Sequence, residues 1–72
     1  MKKQISEREQ DVLELIAREY TTPEIADRLF ISHNTVVSHR RNLLRKLRAK
    51  NVAGLVYKAI SSGVLAARIS WR

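Results

Sequence analysis

Six residues in the middle of the chain, Asn34, Val37, Ser38, Arg41, Arg45 and Arg48, recur at spacings of three and four. On an α-helix that spacing lines them up along one side. The side is polar at its start and carries guanidinium groups toward its end. Guanidinium is a permanently charged fork of donors suited to phosphate and carboxylate, so the chemistry on offer is anion recognition rather than bond-making. The charge of the whole chain agrees with this. Its 72 residues hold 14 Lys and Arg against 7 Asp and Glu, a net charge of +7. All seven acids fall within residues 1–27, with four bases, a sum of −3; residues 28–72 carry ten bases and no acid, a sum of +10. One half with a single sign of charge predicts a polyanionic partner: DNA, RNA or an anionic membrane.

Other residue types that do chemistry do not assemble. Cysteine is absent, which excludes thiolate zinc sites, disulfide staples and thiol catalysis. His33 and His39 are six residues apart, on different sides of a helix and without a third ligand, so no metal and no cofactor are expected. Glu7, Glu9 and Asp11 read as a solvated helix face, in first turns where the helix dipole favours negative charge. With no glycine-rich phosphate loop and no nucleophile–base set, no catalytic residues and no enzyme are expected. No apolar run approaches the ~20 residues needed to span a bilayer. The basic start, MKKQISEREQ, lacks the apolar segment of a secretory signal. A cytoplasmic location is the expectation.

Two glycines, one proline and 6% aromatic residues predict an all-α protein. Ser6-Glu7-Arg8-Glu9 is a capping box opening a first helix to about Glu19, with Val12, Leu13, Leu15 and Ile16 on its apolar flank. Thr22 as cap and Pro23 at the first helical position predict a short second helix, about Pro23 to Phe30, burying Ile25, Ala26 and Leu29. Ser32 caps a third helix from His33 to about Arg48, whose core stripe is Val36, Leu43 and Leu47 with Leu44 on the flank. Two helices joined by about three residues make a helix-turn-helix. A fourth helix, Asn51 to Ser62, closes at Gly63 as a left-handed stop. Its apolar arc of Val52, Leu55, Val56, Ala59 and Ile60, widened by Ala53 and Tyr57, fits either a broad lid on a shallow core or a surface for a second subunit. Val64 and Leu65 are expected to fold back on the core. The tail AARISWR has no clear role, with Trp71 either exposed or packed on helix four.

Over about residues 4–65 the chain resembles the LuxR/GerE-type DNA-binding domain of bacterial transcription regulators, in which the reading motif would be about residues 22–41. The resemblance rests on Ile5-Ser6-Glu7-Arg8-Glu9 with Val12-Leu13, Glu24-Ile25-Ala26, Ile31-Ser32, Thr35-Val36 with His39, then Asn42, Lys46-Leu47 and the AISSGVL of Ala59 to Leu65. It implies a compact four-helix bundle with helix three (33–48) in the major groove of double-stranded DNA. Helix four would pair two subunits through Val52, Val56, Tyr57 and Ile60. Such domains usually end response regulators of two-component systems, and RNA polymerase is a further possible partner. Two departures stand out: the family's glycine after helix one is replaced by Glu19 or Tyr20, and its usual lysine after Thr-Val is Val37.

With helix three in the groove, Val37, Ser38 and Arg41 face base edges. Arg41 is placed to grip guanine, and Val37 is able to touch a thymine methyl. Asn34, Thr35, Arg45 and Arg48 would hold phosphates, and Thr22 with the amides opening helix two would add another. The Arg40 stem is expected to pack, and His39 to be a packed or backbone-bonded imidazole. Two rivals remain. A sigma-factor region-four-like module would bind DNA and RNA polymerase through a related motif. A basic membrane-surface helix conflicts with three capping signals, which specify a packed domain.

Overall fold

Every helix begins where a side chain takes over an amide that the helix cannot satisfy itself. The computed structural model describes residues 5–65, which form α1 (Glu7–Ala17), α2 (Thr22–Leu29), α3 (His33–Lys46) and α4 (Val52–Ser61). Ser6 Oγ accepts from the Glu9 amide at 3.1 Å and Glu9 Oε1 accepts from the Ser6 amide at 3.1 Å, the expected capping box. Ser32 accepts from the Thr35 amide at 3.0 Å and Asn51 Oδ1 from the Gly54 amide at 2.9 Å. At α2 the cap is Thr21 and not Thr22. Thr21 Oγ1 accepts from the Glu24 amide and Glu24 Oε1 from the Thr21 amide, at 3.3 and 2.8 Å. Glu24 decides between the two threonines, because the reciprocal pair requires the acid three residues after the cap.

The helix ends differ from the sequence reading by one or two residues, and the reason is shared. Helices α1, α2 and α3 stop at Ala17, Leu29 and Lys46, each followed by a non-glycine residue in the left-handed region: Glu19 at φ 70°, Phe30 at φ 57° and Arg48 at φ 56°. The following amide then reaches back into the helix: Tyr20 N to Leu15 O at 3.0 Å, Ile31 N to Ala26 O at 3.1 Å, Ala49 N to Leu44 O at 2.9 Å. These are Schellman closures, each with its apolar residue turned inward, since Tyr20, Ile31 and Ala49 all pack against the core. Phe30 and Arg48 are therefore outside the helices assigned to them from sequence. At α4 the expected left-handed Gly63 is present at φ 85°. The Arg28 guanidinium lies 4.5 Å from the centroid of the Tyr20 ring, binding the first turn to α2.

Helices α1 and α3 each touch all the other helices, while α2 and α4 do not meet. Between them lies a core of Val12, Leu13, Ile16, Ile25, Ala26, Val36, Leu43, Leu47, Leu55, Ala59 and Leu65. Leu65 folds back as expected, held by its amide on Ala59 O at 3.0 Å, while Gln10 Nε2 donates to Val64 O at 2.9 Å. The expectation for Trp71 lies outside the described residues.

Glu9 overturns one expectation. Unlike exposed Glu7 and Asp11, it is 4% exposed, and its Oε1 accepts from Lys46 Nζ at 2.8 Å. Burial alone would raise its carboxyl pKa. The Lys46 hydrogen bond, the Ser6 amide and the charges of Lys46 and His39 together outweigh burial and hold it below the ordinary value. A depressed carboxyl pKa contributes stability that is complete above the unfolded-state value of about 4.3 and is lost as pH falls through the lower folded value.

Two stability measurements check these points. Glu9→Gln is expected to lower unfolding stability by about 1–3 kcal/mol at pH 7, because Lys46 loses its charged acceptor. The deficit relative to wild type should shrink as urea melts are repeated below about pH 4. Glu19→Gly removes the left-handed penalty at an exposed turn and should stabilise by about 0.5–1 kcal/mol, read as a higher Tm.

Candidate nucleic-acid interface

Packing sets the rotation of α3. Val36 and Leu43 are completely buried and Leu47 nearly so, so the opposite side of the helix must face solvent. Asn34, Ser38, Arg41 and Arg45 are all exposed on that side, as the sequence spacing requires. Val37 lies at its border, half-buried. Arg45 Nη2 donates to Asn42 Oδ1 at 2.9 Å, which holds the guanidinium along the helix. Thr35 stands at the helix opening, its hydroxyl 2.8 Å from that of Ser32. Arg40 and His39 are half-buried on the flanks, in accord with the expectation that they pack.

One expected member of the stripe, Arg48, leaves the helix face, and the phosphate contact expected at Thr22 meets a competitor. Arg48 is exposed but follows the end of α3 in the left-handed conformation, and its carbonyl accepts from Lys58 Nζ. It stands at the end of the row rather than on the helix face. Thr22 is half-buried in the first turn of α2, and the N-terminus there already holds an anion, the Glu24 carboxylate bound to the Thr21 amide. That carboxylate competes with a phosphate for the opening of α2.

The field around the domain is one-sided. The described acids all lie on α1, on α2 or at Glu19 between them, and α3 and α4 contain none. Lys46 is drawn away from the outer side of α3 by its bond to Glu9. This pair was not legible as a pair. Its signal in the sequence was the doubled use of Glu9, which serves a capping box and stands in an apolar neighbourhood with Val12 and Leu13.

Helix α4 turns Leu55 and Ala59 fully inward; Val52, Val56 and Ile60 are half-buried against the core, and Ala53 and Tyr57 are exposed, Tyr57 by 72%. The arc is thus wider than the monomer core covers. Among the described residues no cluster of three His, Asp or Glu is placed to hold a metal ion. No described helix is long and apolar enough to cross a membrane.

Comparison with known proteins agrees with this geometry. The family described as bacterial regulatory proteins, luxR family, matches residues 3–59. Over 61 residues the chain is 39% identical to the oxygen regulatory protein NreC of Staphylococcus carnosus (strain TM300) and 40% identical to NreC of Staphylococcus aureus (strain JH9). Each match covers 85% of this chain and 28% of the relative, so the chain spans little more than a quarter of their length. The solved structure of the transcription factor GerE superposes with a TM-score of 0.80 and 30% identity, over 85% of this chain and 91% of that one. The response regulator ChrA of a heme-sensing two-component system superposes with a TM-score of 0.83 and 25% identity, over 90% of this chain and 32% of that one. With its helix-turn-helix, its four-helix core and this match along most of its length, the chain belongs to the luxR family of bacterial regulatory proteins.

Proposed function

We propose that the chain is the DNA-binding output domain of a bacterial transcription regulator, and that it reads double-stranded DNA by laying the N-terminal half of α3 in the major groove. The observation that carries this is the outer side of α3, where Asn34, Ser38, Arg41 and Arg45 are all exposed and no acid interrupts them. A cylinder about 10–12 Å across fits a groove about 12 Å wide. Arg41 grips guanine through O6 and N7, with Ser38 and Val37 beside it on base edges. Asn34, Thr35 and Arg45 hold phosphates that fix register, and Arg48 adds a charge where the backbone leaves the helix. Thr22 is the weakest contact, because Glu24 shares its helix end.

Affinity arithmetic favours two copies. Three or four phosphate contacts per domain give non-specific dissociation constants on the order of 10⁻⁴ to 10⁻⁶ M, too weak to select one site in a genome. Pairing two domains on two half-sites combines their binding energies. Helix α4 supplies a surface for that pairing, with Tyr57 at its exposed centre and Val52, Val56 and Ile60 along its half-buried edge. The length of the NreC relatives and the likeness to ChrA support attachment to a receiver domain, in a cytoplasmic two-component regulator whose phosphorylation brings two copies together.

Selection of bound duplexes from random DNA, followed by titration of the consensus, tests this reading. One domain should lose affinity with a log–log salt slope near −3 to −4. A flat salt response would defeat the proposal. Arg41→Ala is expected to cost about 1–3 kcal/mol and to relax preference at one base pair, whereas Arg45→Ala should weaken all sequences alike and reduce the slope by about one. Identical ranking of a site panel by Arg41→Ala and wild type would remove Arg41 from base reading.

A further inference from the structure

Val37 is the anomaly of the outer side of α3. Every other half-buried aliphatic residue among those described packs against the core cluster: Ile5, Leu15, Ala17, Leu29, Ile31, Leu44, Ala49, Val52, Val56, Ile60 and Val64. Val37 does not. Its neighbours at the same helix side are the exposed Asn34, Ser38 and Arg41. A β-branched residue is also a weaker helix former than the long polar residues usual on an exposed face. Neither core packing nor helix propensity accounts for an isopropyl group in this row.

On the edges of bases in the major groove there is one apolar group, the C5-methyl of thymine; cytosine has none, and 5-methylcytosine carries one at the same place. We infer that Val37 reads a pyrimidine C5-methyl group, so that the domain binds thymine or 5-methylcytosine at one position of each half-site and discriminates against the unmethylated base. The inference rests on the placement of α3 in the major groove proposed above. Arg41 stands one turn further on, about 6 Å along the helix axis, which is one to two base steps of about 3.4 Å. The recognised element is therefore a 5-methylpyrimidine within two base pairs of the guanine held by Arg41. Recognition here is of the methyl group itself and not of the base's hydrogen-bonding pattern, because valine has nothing to donate or accept.

The test uses the selected consensus duplex, synthesised with each thymine in turn replaced by deoxyuridine, and with each T·A pair replaced by C·G or 5-methyl-C·G. Both comparisons, thymine against deoxyuridine and 5-methylcytosine against cytosine, change a methyl group and leave the pairing unaltered. At one position per half-site the methyl group is expected to tighten binding by about fourfold in both comparisons, the scale of burying one such carbon. Val37→Ala should lose that discrimination while keeping the salt slope and the guanine preference, with circular dichroism melts verifying its fold. Ratios below about twofold at every position, or an undiminished ratio in Val37→Ala, would overturn the inference. Tight, methyl-independent binding would do so and leave the proposed function standing. Absence of any binding at low salt would defeat both.

Discussion

Glu9 Oε1 receives two hydrogen bonds from distant points of the chain, one from the Ser6 amide that opens α1 and one from the Lys46 ammonium in the last turn of α3. Each end of this link is favoured by its own helix, an acid in a first turn and a base in a last turn. A carboxylate this deeply buried has to be partnered, so the two helix ends cannot separate without exposing a cost. The link therefore pins the end of α3 to the start of α1, and packing of α3 along α1 and α2 sets its axis. The hydrophobic stripe of Val36, Leu43 and Leu47 then fixes its rotation. With axis and rotation both set, the side bearing Asn34, Ser38, Arg41 and Arg45 has only solvent to face.

Segregation of charge follows the same division of labour. The acids crowd the first two helices, where they cap N-termini at Glu9 and Glu24 and pair on the surface, as Arg8 does with Asp11 at 3.5 Å. Helices three and four are left with bases alone. Such an arrangement gives a small domain an oriented field: a polyanion approaching at random is turned toward one side before any contact forms. The acids of the first two helices are thus partly taken up in caps and a surface ion pair.

Much of this was legible in the residues themselves. One capping box and three further cap signals, the brevity of Phe30-Ile31-Ser32 and the three-and-four spacing of the arginines were enough to place four helices and the exposed basic side, because each is a local signal with a local cause. What escaped was non-local or concerned exact ends. The threonine doublet at 21 and 22 offers two equivalent caps until Glu24 is paired with one of them. Arg48 continues the helical spacing in sequence, but the inward pull on Ala49 ends the helix first. Burial of Glu9 depends on a lysine 37 residues away, which no window along the chain brings into view.

All three corners between the helices are closed in one manner, by a left-handed residue that is not glycine and an apolar neighbour pressed into the core. Corners pinned on both backbone and side chain restrict how the helices can shift against one another, so in the complex proposed above α3 would meet DNA already shaped and give up little entropy on docking. In the regulator proposed above, control would act from outside this part, on whether two copies are brought together.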